Sequence, residues 1–138
     1  MARLLDTNIL SELRPPKPEP KVMAFITNCR LDQLYISAMT LSEIRFGIHR
    51  VSEPRRTELN AWLNEFVRPM FVGRVLPSTE DIMLLWRILL EDGRKAGHTY
   101  SQPDLIIAAT ALHHNFTVVA RDRSEYDHAG VPVLNPWD

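Results

Sequence analysis

With 138 residues, 45 % of them hydrophobic and 24 % charged, the chain has the size and composition of one domain over residues 1–138 with a core of its own. A formal net charge of -1 removes any whole-molecule electrostatic attraction for nucleic acid, although acids gathered in one place would cancel basic residues spread elsewhere. The lone Cys29 rules out an internal disulfide and a CxxC zinc site, no secretory pattern opens the chain, and no apolar run approaches the ~18 residues of a membrane span, so a soluble cytoplasmic protein without membrane contact is expected.

Arg3 to Leu5 reads as a first, buried strand that ends at Asp6, and Thr7 to Leu13 as a short helical turn leaving it. Pro15, Pro16, Pro18 and Pro20 forbid regular structure until Pro20 can occupy the first turn of a new helix, so this stretch is expected as a stiff connector; a PxxP ligand is the other reading. Val22 to Arg30 carries helical spacing, and Cys29 falls on its apolar stripe with Val22, Phe25 and Ile26, which predicts a buried, inert thiol. Leu34 to Ile36 is a short strand.

The next helix runs from about Ala38 to Val51, with Leu41, Ile44, Ile48 and Val51 along one face and Glu43 off it. Arg55 to Val67 is a further helix, Val72 to Leu76 a strand, and Ser78 the expected cap of a long helix through about Lys95. Gln102 to His114 is the most apolar helix and starts after Ser101. Thr117 to Ala120 is a β-branched strand ending at Arg121 and Asp122, and Val131 to Leu134 is the last strand before Asn135, Pro136 and Trp137. Short strands alternating with longer helices predict a three-layer α/β/α fold with a short parallel sheet of four or five strands flanked by helices.

Asp6, Glu43, Asp104 and Asp122 all fall at a strand end or a helix start, and such positions converge at the carboxyl edge of a parallel sheet. Each also has a local explanation. Asp6 can cap a helix, Thr40/Glu43 and Ser101/Asp104 have capping-box spacing, and Asp122 can make an Asx turn. Convergence would set two carboxylates ~4 Å apart against about 4 kcal/mol of repulsion at an effective dielectric of ~20, so four together call for protons or a cation. Oxygen-only ligation favours a hard ion, Mg²⁺ or Mn²⁺. His49, His98 and His128 are scattered, His113 and His114 close a helix, and neither a Gly-rich nucleotide loop nor a GxSxG elbow occurs.

Leu4-Leu5-Asp6-Thr7-Asn8, Ser37 to Gly47, Asp104 to Ala111 and Val118-Val119-Ala120-Arg121-Asp122 resemble, in order and spacing, the PIN-domain family, and are most similar to the VapC and FitB-like toxins of bacterial toxin-antitoxin pairs. The terminal Asn135-Pro136-Trp137 resembles the FitB-like branch. The resemblance implies a PIN fold, a Mg²⁺- or Mn²⁺-dependent endoribonuclease, and an acidic site made of Asp6, Glu43, Asp104 and Asp122. It also implies a homodimer neutralised by a small antitoxin that binds operator DNA. Many relatives carry Thr or Ser where this chain has Ala120.

The residue reading and the resemblance meet at phosphodiester hydrolysis of an RNA substrate. Thr7 and Asn8 are expected to orient the site, Arg45 and Arg121 to contact phosphate through their guanidinium forks, and Phe46 to pack. Two other readings stay in play: a non-catalytic PIN-like module for nucleic-acid binding or scaffolding, and a phospho-acceptor domain. The second needs paired acids after the first strand and a lysine near the last, where Thr7 and Arg121 stand.

Overall fold

The strands Arg3–Leu5 (β1), Leu34–Ser37 (β2), Val75–Leu76 (β3), Thr117–Val119 (β4) and Val133–Leu134 (β5) all run parallel and lie in the spatial order β3-β2-β1-β4-β5 in the computed structural model, which describes residues 1–138. The first strand of the chain is therefore the middle of the sheet. Alternation along three residues decides both faces. Leu4, opposite Tyr35 and Val118, points to one side, whereas Leu5, opposite Val119, points to the other with Leu34 and Ile36. Both faces are buried, which is why these strands read as unbroken apolar runs.

The helices are Thr7–Ser11 (α1), Pro20–Asn28 (α2), Ala38–His49 (α3), Arg55–Trp62 (α4), Arg68–Met70 (α5), Glu80–Lys95 (α6), Gln102–His114 (α7) and Ser124–Ala129 (α8). Ile9, Val22, Ile44, Ile48, Leu59, Trp62 and Phe71 close the Leu5 face. Tyr100, Leu105, Ile107, Ala108, Ala111 and Tyr126 close the Leu4 face, with Trp86, Leu89 and Leu90 packed behind them. The expected three-layer α/β/α arrangement is thus the observed one, with five strands.

Several boundaries move for local reasons. The helix expected to stop at Val67 continues through a π-helical stretch, Leu63–Val67, into α5. β3 is only two residues long because the backbone turns at Gly73, φ +76°, and Arg74 N–H bonds Phe71 O at 2.8 Å. The cap of α6 is Thr79, whose hydroxyl accepts from Ile82 N–H, and not Ser78. Cys29 is half-buried at the end of α2, with the Arg3 guanidinium donating to its sulfur at 3.3 Å, so it is less enclosed than its stripe suggested. The proline stretch lies outside regular structure, tied at Pro15 O by the Arg55 side chain at 2.6 Å. Helix α8 had no counterpart in the sequence reading, since Tyr126 is its one large apolar residue and one residue makes no periodicity.

A candidate acidic site at the carboxyl edge of the sheet

Asp6 is the residue that leaves the middle strand. Its N–H extends the ladder to Val119 O at 3.0 Å, and its carboxyl turns back as the cap of α1, Oδ1 accepting from Ile9 N–H at 3.1 Å. Oδ2 accepts from the Tyr126 hydroxyl at 3.2 Å. At 5 % exposure this is the most enclosed of the acids, and burial first, with repulsion from Asp104 behind it, pushes its carboxyl up to about 6 against the pull of those hydrogen bonds.

Glu43 reaches the same edge from α3. The cap of that helix is Ser37, whose hydroxyl accepts from Thr40 N–H at 3.1 Å, so Thr40 and Glu43 do not form the capping box their spacing allowed. Instead the Thr7 hydroxyl donates to Glu43 Oε1 and lies 3.1 Å from the Thr40 hydroxyl. A threonine has one proton to give, so Thr40 is left to donate to Thr7, and the relay holds Glu43 in place. Burial, reinforced by repulsion from Asp104, raises the Glu43 carboxyl.

Asp104 stands in the first turn of α7. Its carboxyl is raised by burial, then by Glu125 and Asp122, while the Ser101 hydroxyl works in the other direction. Because its charge in turn raises both Asp6 and Glu43, Asp104 is the acid the others feel. Asp122, exposed just after β4, accepts from Ser124 N–H at 3.0 Å and Ser124 Oγ at 2.9 Å, and these bonds hold it below the usual carboxylate range. Its Asx turn is real, yet it lies on the rim of the crevice that Asp6 opens into. That crevice of about 280 Å³ is lined by Asp6, Asn8, Glu12, Arg121, Asp122 and Trp137.

Of the expected site residues, Asp6, Asn8, Arg121 and Asp122 line one crevice, while Thr7 ties Glu43, which lines a neighbouring depression, to the start of α1, and Asp104 acts on Asp6 and Glu43 through its charge. Arg45 lines neither. It faces a separate depression on the outer flank of α3, beside His49, Arg56 and Asn60, and Phe46 there is 60 % exposed with the Arg50 guanidinium 5.6 Å from its ring, where packing was expected. Sequence reasoning missed Tyr126 and Glu125, both on α8. The charge of Glu125 raises Asp104, and its Oε2 lies 3.7 Å from His98 Nε2, both atoms shielded from solvent and neither hydrogen-bonded. The signal for α8 was available in Asp122 followed by Ser124 and, six residues on, by Gly130 at φ +80°.

The donor set suits a hard cation, being carboxyl oxygens that repel one another. As the side chains stand, no three acidic, histidine or cysteine groups close on one point, and Asp6, Glu43 and Asp122 each have a hydrogen-bond partner of their own. Glu43 Oε2 and Asp122 Oδ2 are left free by these bonds, and a carboxylate held through one oxygen can still offer the other to an ion.

Tyr126→Phe isolates one of these contacts. Removing the donor from a buried carboxylate should cost about 1–3 kcal/mol of stability at neutral pH, and it should raise the Asp6 carboxyl further. The expected readout is an acidic limb of the activity profile displaced to higher pH. An unmoved limb would show that the hydroxyl does not tune Asp6.

These features, a buried acid leaving the middle strand of a five-stranded parallel sheet among them, sit within a match to the PIN domain model over residues 3–131, and the chain belongs to the PIN-domain family. It is similar to a protein named VapC ribonuclease Y4jK from Sinorhizobium fredii, 38 % identical over 98 % of this chain and 97 % of that one. It is likewise similar to toxin FitB of Neisseria gonorrhoeae, 34 % identical over 97 % of each. Among solved structures, FitAcB from Neisseria gonorrhoeae superposes with a TM-score of 0.88 at 35 % identity over 98 % of both chains, and FitAB bound to an IR36 DNA fragment with 0.89 at 33 % over 99 % and 96 %.

Proposed function

We propose that this protein is a metal-dependent endoribonuclease toxin, which hydrolyses RNA phosphodiester bonds and is held in check by a small antitoxin. The observation that carries the reading is Asp6, buried where the middle strand ends and opening into a crevice it shares with Asp122 and Arg121; the charge of Asp104, which raises both Asp6 and Glu43, supports it. The names of the relatives, a VapC ribonuclease and a toxin FitB, point to the same chemistry.

Asp6, Glu43 and Asp104 are the residues to hold a Mg²⁺ or Mn²⁺, with Asp122 completing the set. When bound, such an ion supplies charge neutralisation at a phosphate oxygen and a water acidic enough to attack in line. The rest falls to the chain. The Ile9 N–H and Tyr126 hydroxyl fix Asp6, the Thr7 hydroxyl fixes Glu43, and Asn8 and Arg121 on the crevice rim position the phosphodiester. Arg45, on the outer flank of α3, is placed to meet the strand only beyond the crevice.

The partners follow from the same reading: an antitoxin that brings the pair to operator DNA, a basic side chain of which suits the acidic crevice, and a second copy of this chain. The solved FitAB assembly bound to DNA supports the first. Leu84 and Ile88, exposed one turn apart on α6, offer apolar surface for the second. The site of action is the cytoplasm, in keeping with a chain in which no helix is long and apolar enough to cross a membrane.

Purified protein and a mixed RNA pool, with and without Mn²⁺, test the reading by mapping of cleaved ends. Cleavage that needs the metal and disappears in Asp104→Asn is expected. The alternative, a non-catalytic PIN-like binding or scaffolding module, has in its favour that no three side chains already close on a point. RNA retained but uncut under all conditions would select it.

A further inference from the structure

Trp137 lines the acidic crevice, and nothing in the proposed chemistry uses it. Three contacts put it there. Asn135 Oδ1 accepts from Trp137 N–H at 2.8 Å, Asn135 Nδ2 donates to Arg121 O at 3.3 Å, and Ala120 N–H bonds Leu134 O at 3.1 Å, so the last turn of the chain is fastened to the end of β4. The indole packs on the Leu5-face core, and the Arg121 guanidinium carbon lies 4.4 Å from its ring centroid. A long, exposed arginine is thereby laid against an aromatic wall beside Asp6 and Asp122.

We propose that the Arg121–Trp137 pair is a base-stacking platform, which takes an unpaired base next to the phosphodiester to be cut. This rests on the ribonuclease reading above. Charge gives the first argument. The chain carries a net charge of -1, and the crevice lining holds Asp6, Glu12 and Asp122 against Arg121 as its one basic residue, so phosphate attraction and counterion release contribute little to holding RNA there. Affinity has to come from a contact that the acids do not oppose. Bases stacked on aromatic rings or on arginine planes are such a contact, tolerant of sequence because every base has a π face.

Shape gives the second argument. A base within a duplex is already stacked on both faces by its neighbours and offers only its edges, so the wall that Trp137 gives this crevice of about 280 Å³ serves an unpaired base. A base that stays in a duplex cannot reach the indole.

The experiment takes a short single-stranded RNA that the wild-type protein cuts and replaces its bases one at a time by abasic sugars. In the wild-type protein one position beside the cut should lower kcat/KM by about tenfold, mostly through KM, the size of a lost stack. In Trp137→Leu, which keeps apolar bulk for the core but offers no ring, the intact RNA should be cut about tenfold less well, and the abasic change at that position should cost nothing more. Trp137→Phe should restore part of the abasic penalty. A binding arm needs no turnover: in an Asp104→Asn background, 2-aminopurine at that position should be quenched on binding, and the quenching should vanish with Trp137→Leu. An equal abasic penalty in wild type and Trp137→Leu, or unchanged quenching, overturns the inference. Failure of the wild-type protein to cut any RNA with Mn²⁺ strikes the ribonuclease reading instead.

Discussion

Asp6→Asn is expected to make the metal-free protein more stable at pH 7 while abolishing both its response to Mn²⁺ and its cleavage of RNA. The Asp6 carboxyl is raised from an ordinary 3.8 to about 6, chiefly by burial and next by the charge of Asp104. A raised acid binds its proton more tightly in the folded state, so its contribution to stability is complete below pH ~4 and is lost as pH climbs through about 6. About two pK units at 1.36 kcal/mol each make that loss roughly 3 kcal/mol, or roughly 10 °C in Tm for a domain of this size.

Asparagine escapes the loss and keeps the contacts. It caps helices as well as aspartate does, so Ile9 N–H retains its acceptor, and its amide can donate to the Tyr126 oxygen. The melting temperatures of wild type and Asp6→Asn should therefore coincide near pH 4 and diverge between pH 5 and 7, with Mn²⁺ closing the gap by stabilising only the wild type. Activity should fall at least about a hundredfold, as for loss of a group holding the metal. A variant that is less stable at pH 7 and still stabilised by Mn²⁺ would reduce Asp6 to a helix cap.

Gly93→Ala should destabilise the protein and cost it activity. A Cβ at Gly93, in the last turns of α6, would stand 2.6 Å from Tyr100 Cε2, 3.0 Å from Cδ2 and 3.1 Å from the His98 carbonyl. Tyr100 has little room to yield, since its ring is held edge-on to His98 at 4.4 Å and to His128 at 5.6 Å. Alanine brings up to ~1 kcal/mol of helix propensity, whereas overpacking costs about 1–3 kcal/mol. Destabilisation wins.

The displacement would pass through Tyr100 and Ser101 into the first turn of α7, where Asp104 sits. Since a shift of ~1 Å in a reacting group can cost about a hundredfold in rate, the expected signature is a modest fall in Tm with a large fall in kcat. Equal or greater stability with full activity would mean that the Tyr100 loop moves freely.

The strands and the acids were legible because short apolar runs and their polar ends are local facts. Leu4-Leu5-Asp6 states a strand and its exit within three residues, and the same holds for Val118-Val119 before Asp122. What stayed hidden depended on partners far along the chain. Tyr126 reads as an unremarkable aromatic until folding sets its hydroxyl on an acid 120 residues away. Arg45 has the same spacing from Glu43 as a residue that shares its site, but two positions turn a helix by about 200°, so it faces outward. Thr40 and Glu43 match a capping box in spacing alone, because Ser37, three residues before Thr40, caps the helix instead.

The order of strands in the sheet also times the appearance of the site. β1 is made first, yet one of its two neighbours is β4, and the hydroxyl that steadies Asp6 comes from Tyr126. Until roughly nine-tenths of the chain has left the ribosome, the opening strand is bare along one side, and such long-range pairing is slow to form. A site built this way is incomplete in the nascent chain, and a message cut or stalled upstream of Thr117 yields fragments that lack both β4 and Tyr126.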